Sequence, residues 1–117
     1  MPILVACLST GKGTWGHVNR VISEGNFDKV ILITNDYGKE NFKANEKTEL
    51  IALPLSQGIR ELRDSMVEAL KSIKDTEVAI NIISGTGKEH TALISALLKL
   101  GLAIKFVAVT KDGIEEI

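Results

Sequence analysis

Short runs of Ile, Val and Leu, each too brief for an ordinary globular helix and spaced by segments of helical periodicity, constrain this chain more than any other feature. The runs fall at residues 3–8, 29–34, 49–55, 78–83 and 104–109. Near-continuous apolar stretches of this length are the signature of strands buried on both faces. Between the third and fourth runs, Ile59, Leu62, Met66, Leu70 and Ile73 recur at helical spacing, while Arg60, Glu61, Arg63, Asp64 and Lys71 take the other face. Strands alternating with helices imply βαβ crossovers and a parallel sheet. The expected architecture is therefore α/β: a Rossmann-like three-layer sandwich built on a mostly parallel sheet of about five strands. After the last run, the Asp112-Gly113 pair suits a tight turn and predicts a short C-terminal antiparallel hairpin strand.

A length of 117 residues and an apolar content of 44 % suit one domain with one core, so the reading is a single domain over 1–117. The 14 basic and 15 acidic residues nearly cancel, which leaves no broad positive field for long DNA or RNA. A nucleic-acid partner would be small and locally held. Cys7 is the only cysteine and lies in an apolar run, where it reads as core; this excludes an internal disulfide and fits a reducing, cytoplasmic setting. The first run has no charged n-region and reads as a strand rather than a signal peptide. The longest apolar candidate, 93–104, is broken by Lys99 and Gly101, short of the roughly 18 residues a membrane span needs.

The segment after the fourth run announces a helix with Thr86 and Glu89 placed as a capping box, and Gly101 is set to stop it. Ala92, Leu93, Ile94, Ala96, Leu97, Leu98 and Leu100 leave that helix little polar face. A second surface besides its own sheet should cover it, and a homodimer partner is the simplest cover.

Ligands of open parallel sheets sit beyond the carboxyl ends of the strands, where helix N-termini also present backbone N–H groups. Three polar segments belong there: Ser9, Thr10, Gly11, Lys12, Gly13 and Thr14 after the first strand; Asn35 and Asp36 after the second; Ser84, Gly85, Thr86, Gly87 and Lys88 after the fourth. Glycines let a backbone approach a phosphate, hydroxyls donate to its oxygens, and Lys12 and Lys88 supply point charges. The same residues also make ordinary βα turns with capping hydroxyls and solvated lysines. A Walker A loop fails at both places. Before Gly87-Lys88 the required glycine is Ile82 and the following hydroxyl is Glu89; before Gly11-Lys12 these positions hold Ala6 and Gly13. The dinucleotide pattern G-x-G-x-x-G is met by Gly11, Gly13 and Gly16, with Asp36 ending the second strand, but Ser9 and Thr10 lengthen the turn.

His17 and His90 each open a helix after one of these loops, within reach of a bound phosphate as general acid or donor, or simply exposed. Trp15 either packs its helix against the sheet or stacks a base, packing being the commoner use. No pair of histidines or carboxylates has metal-ligand spacing, so neither a metal site nor a cofactor is expected.

The stretch from Asn81 through Ser84, Gly85, Thr86, Gly87 and Lys88 to Leu93 resembles the signature of the CRISPR-associated Rossmann-fold (CARF) domains. Those carry a polar, Gly-rich loop with a basic residue leading into an apolar helix at this point. The first loop, with Ser9, Thr10 and Gly11, and the terminal Asp-Gly hairpin are similar to the family too. The resemblance implies a stand-alone CARF-like unit that forms a two-fold homodimer around a cyclic oligoadenylate, the second messenger of type III CRISPR antiviral defence. It also implies the option of a metal-independent ring nuclease. In that reading Lys88 stabilises developing charge, Ser9 or Thr10 positions the reacting group and His17 is the acid. Ending at Ile117, the chain departs from members that carry a helix-turn-helix or nuclease domain. The alternatives left open are a binder or enzyme for another nucleotide or phosphorylated metabolite, and a non-catalytic interaction subunit.

Overall fold

The computed structural model describes residues 2–8 and 12–117. Its elements, in order, are β1 (Ile3–Cys7), a 3-10 turn (Lys12–Thr14), α1 (Trp15–Glu24), β2 (Lys29–Thr34), α2 (Asp36–Asn41), β3 (Thr48–Ala52), α3 (Ile59–Leu70), β4 (Glu77–Asn81), α4 (Gly87–Lys99), β5 (Ala103–Thr110) and β6 (Gly113–Glu116). The strands form one six-stranded sheet in the order β3-β2-β1-β4-β5-β6. The first five run parallel, and β6 returns antiparallel on β5, with Thr110 opposite Gly113 across the turn.

Alternation along β1 explains the three layers. Ile3, Val5 and Cys7 face a core shared with Leu62, Met66 and Leu70 of α3 and Ala92, Leu93, Ala96 and Leu97 of α4. Leu4, Ala6 and Leu8 face the other core, shared with Trp15, Val18, Val21 and Ile22 of α1 and with Phe42 just after α2. Burying one such large side chain contributes about 1.5–3 kcal/mol, so a strand covered on both faces is the strongest anchor in the sheet. The single-face stripe on α3, with Leu62, Met66 and Leu70 fully buried, matches the periodicity of its sequence.

Two strands end two or more residues before the sequence expectation, each for a local reason. The third apolar run predicts a strand to residue 55, but the ladder ends with the Leu53 N–H donating to the Thr34 carbonyl at 2.8 Å. Pro54 follows and has no N–H to continue it. The fourth run predicts a strand to residue 83, but β4 stops at Asn81. The Asn81 amide turns the chain out of the sheet: Nδ2 donates to the Val107 carbonyl at 2.9 Å, and Oδ1 accepts the Ile83 N–H at 3.3 Å.

α4 starts and stops as its sequence predicts. Thr86 Oγ1 accepts the Glu89 N–H at 3.2 Å, and Glu89 Oε1 accepts the Thr86 N–H at 3.2 Å, a complete capping box. At the other end Gly101 takes φ +75°, its N–H donates to Leu98 and that of Leu102 to Leu97, the paired bonds of a Schellman stop. Among the described residues, no helix is long and apolar enough to cross a membrane.

Candidate functional site

The sheet order places a topological switch between β1 and β4: from β1 the chain winds outward to β2 and β3, then returns to add β4 and β5 on the other side. The helices that follow β1 and β4 lie on opposite faces of the sheet, and the carboxyl ends of two such strands are where open parallel sheets hold ligands. Ser9, Thr10 and Gly11 of the first loop lie outside the described residues, as does the Lys12 side chain. The end of that loop is described, and it meets the second: Thr14 Oγ1 donates to Ser84 Oγ at 2.8 Å across 70 positions of sequence.

The second loop is held from below. Ser84 is buried, and His90 Nε2, one turn into α4, donates to its carbonyl at 2.8 Å. Gly85 takes φ +106°, and a side chain there would bring its Cβ to 2.8 Å from Glu89 Oε1 and 3.1 Å from Cys7 Cβ. The loop thus lies directly on the end of β1, where only glycine fits. Thr86 and Gly87 are exposed above it. The opening N–H groups of α4 have no intrahelical acceptor, and they add positive potential at the rim.

The other residues singled out in the sequence are distributed around these loops. Lys88 turns from the loop toward α3, and its ammonium donates to the Gln57 carbonyl at 2.8 Å; Gln57 in turn donates from Nε2 to Ser65 Oγ at 3.1 Å. Asn35 caps α2, its Oδ1 accepting the Gly38 N–H at 3.0 Å. Together with Asp36 it lines a separate cavity of about 380 Å³ against Leu53, Pro54, Leu55 and Ser56 at the ends of β2 and β3. His17 is exposed on the first turn of α1. Trp15 packs: it is 9 % exposed, 5.6 Å from the Phe42 ring edge-on and 6.2 Å from the Tyr37 ring.

The glycine pattern of the first loop does not serve as a dinucleotide fingerprint. In that fingerprint the third glycine permits close helix–strand packing. A Cβ on Gly13 or Gly16 would meet nothing within 4 Å. Three roles that the sequence does not reveal shape the site: Asn81 beneath the exit of β4, His90 as a clamp rather than a free acid, and Gln57 as the partner of Lys88. Asn81 alone carried a signal, as the one polar residue inside an apolar run.

Cys7 lies at the floor, 1 % exposed, with its thiol pushed up to about 12 by burial and, second, by the Glu89 carboxylate. A thiol so held is neutral and unreactive at physiological pH. Among the described residues, no cluster of three or more His, Cys, Asp or Glu is arranged to hold a metal ion.

No sequence profile of a known family matches the chain, and no curated protein does. Among solved structures it is similar to Enterococcus italicus Csm6 bound to cyclic hexa-2′-fluoro-hexa-dAMP, with a TM-score of 0.59 at 15 % identity over 95 % of this chain and 34 % of that one. A C-terminal domain (residues 78–226) of the PF1911 hydrogenase from Pyrococcus furiosus gives a TM-score of 0.49 at 17 % identity, covering 90 % of this chain and 89 % of that one. The chain spans about a third of the length of the Csm6 chain. At such identities the likeness is one of fold: a Rossmann-like α/β sandwich, mostly parallel, closed by an antiparallel hairpin strand.

Proposed function

We propose that the chain binds a cyclic oligoadenylate as a CARF-like unit, with the loops after β1 and β4 of two copies surrounding one ring. The observation that carries this reading is the contact between Thr14 and Ser84, which joins the two Gly-rich loops at the switch point of the sheet. Hydroxyls, backbone N–H groups and a nearby lysine suit the phosphates of such a ring. The likeness of fold to a protein with a cyclic oligonucleotide bound supports it. Ser9, Thr10, Gly11 and Lys12 from one loop and Ser84, Gly85, Thr86, Gly87 and Lys88 from the other are the proposed ligand contacts. Asn35 and Asp36 are kept for a part of the ligand that reaches the neighbouring cavity.

Cleavage of the ring needs no metal in this proposal. A ribose 2′-oxygen attacks the adjacent phosphorus and gives up its proton to water, and the bond to the 5′-oxygen breaks. The products are a 2′,3′-cyclic phosphate and a 5′-hydroxyl. Ser9 positions the phosphate, Lys88 stabilises the charge that develops on it, and His17 returns a proton to the leaving oxygen. To serve in this role the Lys88 ammonium exchanges the neutral Gln57 carbonyl for an anionic phosphate oxygen.

Incubation of the protein with cyclic tetra- and hexa-adenylate in EDTA, read by thermal shift and product analysis, tests the reading. Stabilisation with linear products bearing cyclic phosphates identifies a ring nuclease; stabilisation alone identifies a sensor or sink. With neither, the proposal fails. Lys88→Ala is expected to weaken binding by about 1.5–3 kcal/mol, the range for a hydrogen bond to a charged group. Wild-type affinity in that variant would remove Lys88 from the site.

A further inference from the structure

Among the described residues, Ile82 and Ile83 are the adjacent pair of an apolar run that the fold leaves outside its cores. By sequence they continue β4; in the structure they stand in the loop, 39 % and 45 % exposed. A single exposed isoleucine needs no explanation. These two are adjacent and mounted on backbone that is pinned on both sides. Upstream, Asn81 accepts the Ile83 N–H and donates to the Val107 carbonyl. Downstream, His90 holds the Ser84 carbonyl and Thr14 holds the Ser84 hydroxyl. The chain therefore presents two large apolar side chains, in a fixed bend, immediately beside the polar loop of Ser84 to Lys88.

An apolar pair set against an anion-friendly loop is complementary to a ligand with two matching halves: a phosphate and a flat ring of low polarity. Inorganic phosphate or a sugar phosphate would leave the pair wet. We propose that Ile82 and Ile83 form the base-contacting wall of the site and select for nucleotides with large, purine-sized rings. This inference rests on the nucleotide-binding reading above and adds to it the residues that determine specificity. The polar loop holds any phosphate equally well; the isoleucines gain only when a ring covers them, and a larger ring covers more.

The test compares binding of cyclic hexa-adenylate and cyclic hexa-uridylate to the wild-type chain and to Ile82→Ser/Ile83→Ser. The wild type is expected to prefer adenylate. The variant is expected to lose about ten-fold or more in adenylate affinity, from the apolar area left uncovered, with the preference for adenine over uracil collapsing. Its melting temperature and sedimentation mass should match the wild type, because both residues lie outside the cores. Should the double variant melt early, Ile83→Ala takes its place: a reduced preference for adenine supports the inference and an unchanged one overturns it. Wild-type affinity and preference in the variant overturn the inference while leaving the functional reading intact. A change in sedimentation mass also overturns it, by assigning the pair to a subunit contact. If the wild type binds neither ring, the functional reading fails and the inference falls with it.

Discussion

Cys7 and Gly85 meet at the point where β1 ends and the β4 loop crosses it, and each is explained by that contact. A Cβ at Gly85 would press on Cys7 and on the Glu89 carboxylate that closes the capping box, in a backbone conformation with φ +106° that other residues rarely adopt. Cys7 is sealed beneath, and its thiol titrates near 12 rather than at the ordinary 9.0. In the unfolded chain that thiol ionises at its ordinary value. Its contribution to stability is thus complete below about pH 9 and is lost as pH rises from there toward 12, at roughly 1.4 kcal/mol per pH unit. Cys7→Ala removes the titration. Urea unfolding at pH 8, 9 and 10.5 is expected to show wild-type stability falling toward that of the variant as pH rises. A constant difference between the two would mean that the thiol titrates alike in both states.

At the scale of elements, α4 is the best-defined helix because both of its ends are closed by side chains and turns written in the sequence. Thr86→Ala removes one half of the capping box, and equilibrium denaturation should report a loss of about 1 kcal/mol. Thr86→Ser is expected to restore most of it, and equal stability of all three proteins would show that the cap contributes nothing. Helix ends of this kind were legible because capping depends on a few neighbours in the chain. The doubly wound sheet was legible too, since strands buried on both faces must be apolar along their buried length, as in β1 and in Val30 to Ile33 of β2. Strand ends were less so. Pro54 and Asn81 stop β3 and β4, yet the apolar residues after them, Leu53 to Leu55 and Ile82 to Ile83, read as more strand. What ends β4 is an amide bonding to a carbonyl on β5, a contact 26 positions away that no local pattern contains. The site divides in the same way. Its two loops were visible as composition, whereas their junction through Thr14 and Ser84, and the turn of Lys88 toward Gln57, depend on the packed fold.

On the scale of the whole molecule, the two faces of the sheet are covered but the outer face of α4 is not. Leu98 is 63 % exposed, and with Thr91, Ile94, Ser95 and Lys99 it lines a surface groove of about 520 Å³. A smaller groove between α3 and α4 is lined by Ile59, Arg60, Arg63 and Thr91, with Ile59 itself 46 % exposed. This is the apolar excess that the composition of α4 anticipates, and in the proposed reading a second copy covers it. A two-fold contact sets the same patch against itself, so one substitution counts twice. Leu98→Asp places two carboxylates in that contact while touching neither core of the monomer. The expected outcome is that the wild type sediments as a dimer whose melting temperature rises with protein concentration, and that the variant sediments as a folded monomer whose melting does not. If one ring is held by two copies, the variant should also bind cyclic hexa-adenylate more weakly, although its loops are unchanged. A wild-type monomer, or a Leu98→Asp dimer of undiminished stability, would rule out this face as the contact. In the first case the ring would have to be gripped by the loops of a single chain; in the second, two copies would meet through another face.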